Sequence, residues 1–230
     1  TWSRTRDIAT NSNGGGQTMD NYDPMRDYGP ANWDVPNRFV ASYIYEVPFY
    51  IYEVPFFKQS SNGFLKYVLS GWQIAGVTTL QSGIPANITF AADRANIGIA
   101  GLQRPDLIGG VPEINCQPNS GGATEAARKQ LINCYDPSGF ALPGQFTFGN
   151  ASRNILRGPN FKQTDITLMK DIPLGKDVRF QLRAEGYNVF NRANFANPNT
   201  TFGSAAFGSI TSLATGATMR RIQLGGRLIF

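Results

Sequence analysis

The 230-residue sequence has no histidine and only two cysteines, Cys116 and Cys134. Without imidazole, the commonest general base and the commonest zinc-binding nitrogen are both missing, which excludes histidine-based triads and two-histidine metal motifs. No catalytic residue, metal or cofactor is therefore expected, and the chain does not read as an enzyme. Charge is scarce too: Asp, Glu, Lys and Arg make up 16% of the residues, against roughly 25% in an ordinary soluble domain. The 21 Lys and Arg outnumber the 16 Asp and Glu, but they stand singly or in pairs such as Arg220-Arg221. No basic stripe marks a nucleic-acid partner. Nor is there a run of the roughly 18 apolar residues that a membrane-crossing helix needs. A charged start followed by an apolar stretch and a cleavage site is also missing. A first residue Thr1 fits a mature protein, a processed piece or a fragment.

What the sequence does have is glycine (25), proline (14) and aromatics (12%), a composition of strands joined by turns. Two-residue alternation is clearest over residues 178–185. There Val178, Phe180, Leu182 and Ala184 interleave with Arg179, Gln181, Arg183 and Glu185, so apolar and polar side chains fall on opposite faces of a strand. Residues 163–172 repeat the pattern, with Thr164, Ile166, Leu168 and Ile172 on one side and Gln163, Asp165, Thr167 and Asp171 on the other. Pro173-Leu174-Gly175-Lys176 joins the two runs as a turn, predicting an antiparallel hairpin.

Similar runs at 38–46, at 71–81 with an extension toward Phe90, and at 222–230, with a short one at 1–8, bring the expectation to about six long strands. Each is close to the roughly 9–11 residues of a tilted transmembrane strand. The fold class that follows is all-β: antiparallel strands of a partial outer-membrane barrel, with long loops on one side and tighter turns on the other. One short helix is predicted at 124–132, inside the longest loop (91–159), with Glu125 and Lys129 spaced for an ion pair. The span 47–70 is the exception on the turn side. It holds a tandem copy, Tyr43-Ile44-Tyr45-Glu46-Val47-Pro48-Phe49 followed by Tyr50-Ile51-Tyr52-Glu53-Val54-Pro55-Phe56, whose odd offset cannot keep the aromatics on one face. It reads as an added turn or edge strand.

The terminal stretch Gln223-Leu224-Gly225-Gly226-Arg227-Leu228-Ile229-Phe230 resembles the signal by which outer-membrane barrels are read by the barrel-assembly machinery, with Gln223, Gly225, Leu228 and Phe230 as its elements. Further segments, in order, resemble the C-terminal part of TonB-dependent outer-membrane receptors, most closely the Oar-like group of acidobacterial type. These are Asp27-Tyr28-Gly29-Pro30-Ala31-Asn32-Trp33-Asp34, Arg38-Phe39-Val40-Ala41-Ser42-Tyr43, Gly71-Trp72-Gln73-Ile74-Ala75-Gly76, Asn150-Ala151-Ser152-Arg153-Asn154, Arg157-Gly158-Pro159 and Arg183-Ala184-Glu185-Gly186-Tyr187-Asn188-Val189-Phe190-Asn191. The resemblance implies a plugged barrel of about 22 strands. Residues 1–230 would be its C-terminal section, without the plug or the N-terminal energy-coupling region.

That resemblance implies energy-coupled import of a solute. Its partners would be outer-membrane lipid, the assembly machinery, the remaining strands and plug, and the TonB complex acting through the missing N-terminal part. With Phe230 at the periplasmic end, the 173–176 turn is periplasmic and the loops around Asp20, 91–159 and Asn197 face outward. Cys116 and Cys134 then share an outward loop, where an oxidising exterior makes a disulfide the leading expectation and two free thiols the alternative. Arg179, Gln181, Arg183 and Glu185 would face the lumen. Asp7, Asp20, Asp23, Asp27 and Asp34 gather near the first long loop without the spacing of a calcium loop and read as turn carboxylates. Gly14-Gly15-Gly16 reads as a linker. The rival to the receptor is a stand-alone β-rich subunit at the cell surface, pairing its strand edges with other copies in a fibre, surface layer or adhesin.

Overall fold

The computed structural model describes residues 1–8, 18–47, 68 and 70–230. The second heptad copy, the span around it and the triple glycine lie outside the described residues. Contacts divide the chain into a sheet unit (Phe39–Leu80, Lys162–Ala193, Thr218–Phe230) and a loop unit (Thr1–Arg38, Gln81–Phe161, Asn194–Ala217).

Five long strands make the sheet: β1 (Arg38–Glu46), β2 (Trp72–Gln81), β3 (Phe161–Pro173), β4 (Arg179–Tyr187) and β5 (Arg221–Ile229). Their spatial order is β5-β4-β3-β2-β1, so every strand lies beside its neighbour in sequence. The predicted hairpin is β3–β4, closed where the N–H groups of Leu174 and Gly175 donate to the Val178 carbonyl at 2.9 and 3.2 Å. Its register sets Ile172 opposite Phe180, Leu168 opposite Ala184 and Asp171 opposite Gln181. Across the other side of β4, Phe180 faces Leu228, Ala184 faces Leu224 and Glu185 faces Gln223. Paired residues share a face, and a one-residue slip would exchange the faces. Three strands thus agree on one apolar and one polar side. Among the described residues, the buried apolar side chains all belong to the loop unit, while Ile222 and Leu224 on the sheet stay 70% and 78% exposed.

The expected sixth strand does not form as one element. Thr1 and Trp2 pair with Arg38 and Asn37, but only Arg6–Asp7 continues, against Gly29–Pro30. Between them the Asp34 carboxylate accepts the Thr5 N–H at 2.7 Å, and the ladder is interrupted. Nor does β2 run on to Phe90. After Gln81, Pro85–Ala86 pairs with Leu156–Arg157 and Thr89–Phe90 pairs in parallel with Thr201–Phe202. The predicted helix shrinks to α1 (Glu125–Arg128), capped by Thr124, whose hydroxyl accepts the Ala127 N–H at 3.1 Å. Leu131–Ile132 instead pairs with Gln117–Pro118, and Leu131 exchanges two backbone hydrogen bonds with Ile210.

The long loops therefore fold into a unit of their own. Its core is Ile88, Leu156, Tyr135, Phe140, Ala86 and Ala151, with Phe202 and Phe207 packed alongside. Phe202 meets Phe207 edge-on at 5.9 Å between ring centroids and Phe140 at 6.0 Å.

Candidate functional site

The polar face of the sheet carries an ordered set of charges. On β4, Arg183 pairs with Glu185 at 2.8 Å, and the other oxygen of Glu185 accepts the Tyr187 hydroxyl at 3.0 Å. Arg221 on β5 lies over the Tyr187 ring, 5.1 Å from its centroid. Toward the tight turn, Gln181 donates to Asp171 at 2.9 Å and Arg179 approaches the same carboxylate at 3.8 Å. All four residues expected to share this face do so, Arg183 and Glu185 in one set of contacts with Tyr187 and Arg221, and Gln181 and Arg179 in another around Asp171. The sequence signal for Asp171, Tyr187 and Arg221 was their parity. Arg183 keeps one unmet demand: its buried Nε has no hydrogen-bond partner among the described residues. Its neighbours in register are Met169 and Gly225, neither of which offers a side-chain acceptor.

The opposite face is apolar. On β5, Ile222, Leu224 and Leu228 pair with Gly186, Ala184 and Phe180, and Phe230 has the same parity. Gln223 and Gly225 lie on the polar side. The residues expected to form a terminal signal thus divide between faces, with the two large apolar ones together. Aromatic rings fill glycine gaps on the apolar face, Tyr43 against Gly76 and Phe180 against Gly226. At the turn end, Lys170 has the apolar parity yet is buried, because its ammonium donates to the Ser70 carbonyl and sits 5.4 Å from the Trp72 ring centroid.

Within the loop unit, arginines claim the clustered aspartates. The buried Arg104 guanidinium holds Asp27 at 2.5 Å, the Arg26 carbonyl at 2.8 Å and the Ala151 carbonyl at 2.8 Å, while Asp27 also accepts the Met19 N–H. Arg157 pairs with Asp34, Arg153 with Asp7, and Arg26 with both Asp20 and Asp23. Every aspartate of the first loop and its flanks thus has a cationic partner, and no cluster of His, Cys, Asp or Glu among the described residues has the geometry to hold a metal. Burial opposes ionisation of Asp34, but the Arg157 hydrogen bond and the Thr5 N–H outweigh it and hold its carboxyl below the usual range. Burial alone pushes the Tyr135 phenol up. Its hydroxyl donates to the Arg157 carbonyl at 2.9 Å.

Cys116 and Cys134 are joined by a disulfide with an S–S distance of 2.07 Å. It closes the ribbon that carries α1 and borders an open groove of about 850 Å³ between the segments 109–117 and 133–139. Glu113, Asn115, Gln117, Asn133, Asp136 and Ser138 supply its polar lining. Backbone and side-chain hydrogen bonds from Ser138 hold the Asp136 carboxyl below its usual range. The groove presents carboxylate, amide and hydroxyl groups to whatever enters it.

A family model described as outer membrane beta barrel domain matches residues 1–223. No curated protein and no solved structure matches the chain.

Proposed function

The chain belongs to the outer membrane beta barrel domain family and so to the bacterial outer membrane, and from that premise we propose that it is the C-terminal wall and outer loop section of a TonB-dependent receptor importing a solute. The observation that carries this reading is the two-faced sheet. An apolar side of exposed Ile222, Leu224 and Leu228 suits acyl chains, and a polar side of linked charges suits a filled lumen. In this reading the buried Nε of Arg183 would find its acceptor on the plug.

Five strands cannot close a barrel, since the smallest have about 8, and open edges in lipid leave backbone groups unpaired at several kcal/mol each. Thr1 and Arg38 exchange backbone hydrogen bonds at 2.7 and 2.9 Å, and Trp2 bridges Asn37, so the start of β1 is already paired on that side. The loop unit, with its polar groove, would then face outward and help to select the solute. Lipid, the barrel-assembly machinery, the rest of the barrel and plug, and the TonB complex are the partners of this reading.

Energy coupling is what separates a receptor from a passive pore. Native protein extracted from outer membranes should be retained by the immobilised periplasmic domain of the energy-transducing TonB protein. Absence of any such complex, with heat-modifiable mobility on gels showing an intact barrel, would leave a barrel without coupled transport and reject the proposal.

A further inference from the structure

The groove of the loop unit opens where two facing segments come apart. At one end the Asn115 N–H donates to the Cys134 carbonyl at 3.0 Å, beside the disulfide. At the other, the N–H groups of Ile108 and Gly109 donate to the Gly139 carbonyl at 2.9 and 3.3 Å. Between these ends lie Pro112 and Pro137, which carry no N–H to continue a ladder. The walls part there around the space of about 850 Å³, within the roughly 300–1,000 Å³ of sites that take small ligands.

Glycine keeps this space clear. Gly109 and Gly110 both line it and neither has a positive φ, so the backbone does not demand glycine at either position. A Cβ on Gly110 would meet nothing within 4 Å, and one on Gly109 would meet only the Gly139 Cα at 3.5 Å. A side chain at Gly110 would therefore occupy open space rather than strain the chain. Further along the same wall Glu113, Asn115 and Gln117 are exposed, while Ile114 and Cys116 between them are half-buried and Ile114 packs on the core. One side of that run is thus delivered to the groove. From the facing wall come Asn133, whose amide lies 3.5 Å from the Gln117 side-chain oxygen, and Asp136, whose carboxylate is fixed by accepting the Ser138 N–H at 2.9 Å.

The charge of the groove is one-sided. Glu113 and Asp136 come from opposite walls and no lysine or arginine is among the lining residues, although the chain as a whole carries a net charge of +5. No His, Cys, Asp and Glu cluster among the described residues could hold a metal ion, so the two carboxylates suit an organic cation. Tyr135 borders the groove, but its ring is buried and its hydroxyl is taken by the Arg157 carbonyl, which leaves no ring for a sugar to stack on. Besides charge, the walls offer the amides of Asn115, Gln117 and Asn133. Each such amide both donates and accepts, as a peptide group does. Guanidinium is planar, always charged and forked to match carboxylate. We propose that the groove binds a short peptide bearing arginine, its guanidinium between Glu113 and Asp136 and its peptide groups on the three amides. The assignment deepens the proposed function, from which it takes the outward placement of the loop unit, and makes basic peptides the solute class.

The test titrates native protein, extracted in mild detergent, by calorimetry with a doubly blocked tetrapeptide of glycine and arginine, with the same peptide carrying citrulline in place of arginine, with agmatine as the cation alone, and with maltotetraose. The arginine peptide should bind at least about tenfold more tightly than the citrulline peptide, a difference of about 1.4 kcal/mol. Glu113→Gln combined with Asp136→Asn should lose that preference, and Gly110→Trp should abolish binding of both peptides. Equal binding of the two peptides by the wild type, or none, overturns the proposal, and so does a double variant that keeps the preference. Agmatine held as tightly as the arginine peptide overturns the peptide assignment, and maltotetraose held more tightly overturns it in favour of a sugar site. If a variant does not assemble, the wild-type comparison decides alone. Retention by TonB is scored separately on the same preparation. Protein that binds TonB but not the peptide rejects this site alone, and protein that binds the peptide but not TonB rejects the receptor reading alone.

Discussion

Arg104 is the most committed side chain in the loop unit. It reaches 77 positions back along the chain to Asp27 and satisfies two carbonyls besides. Removing it leaves a buried carboxylate without its counter-ion, which typically costs about 3–5 kcal/mol. Arg104→Ala should therefore expose residues 18–34 to rapid hydrogen exchange while the sheet keeps its protection. Neither residue announced this role in the sequence, where Asp27 read as one of several turn carboxylates; the pairing exists only once distant loops meet. Asp34 gives a pH signature. Its folded pKa is depressed, so its contribution is fully present above the unfolded carboxylate value near 4 and is lost as pH falls through the folded value. Protection of the Thr5 amide, which donates to Asp34, should be flat from about pH 7 to 5 and fall under more acid conditions. Asp34→Asn should flatten that acid limb.

Among elements, the disulfide-closed ribbon and the terminal strand respond to different changes. The disulfide has a sequence separation of 18, and closing a loop of that size is worth about 3 kcal/mol. Cys116→Ser with Cys134→Ser should make the region 115–134 sensitive to protease without shifting the heat-modifiable mobility of the barrel. On β5, adjacent positions should behave oppositely. Leu224→Arg puts a cation on the lipid side, at about 2–4 kcal/mol near the midplane. Gln223→Arg puts one on the polar side and should leave denaturant midpoints nearly unchanged. That contrast was legible in advance, because strict alternation such as Phe180, Leu182 and Ala184 against Gln181, Arg183 and Glu185 specifies face and strand together. The helix was legible in place but not in length, since Leu131 is drawn into pairing with Ile210 by a partner 79 positions away.

For the whole molecule, the proposal that the terminal stretch is an assembly signal can be tested at Phe230. Deleting Phe230 removes an apolar group that is 87% exposed beside Leu228, so its loss should leave any fold already formed intact yet reduce the amount reaching the outer membrane. Membrane fractionation at equal synthesis reads that out, and unchanged assembly would deny the terminal stretch its signalling role. The sheet, its hairpin and its two faces could be read from period and turn chemistry. The loop unit could not, because it is stitched from two-residue ladders such as Thr89–Phe90 with Thr201–Phe202 and from ion pairs between distant loops. Short ladders have no periodicity to detect.

The glycines at 225 and 226 have a mechanical meaning beyond their parity. Successive residues point to opposite sides of a strand, so this pair strips both sides of β5 at one height, leaving only the Phe180 ring leaning against Gly226. Backbone freedom is greatest and steric resistance least at that point, and glycine positions of this kind let sheets coil. The final strand can thus take up curvature most easily near its middle, without losing a side-chain contact on either face other than that of Phe180.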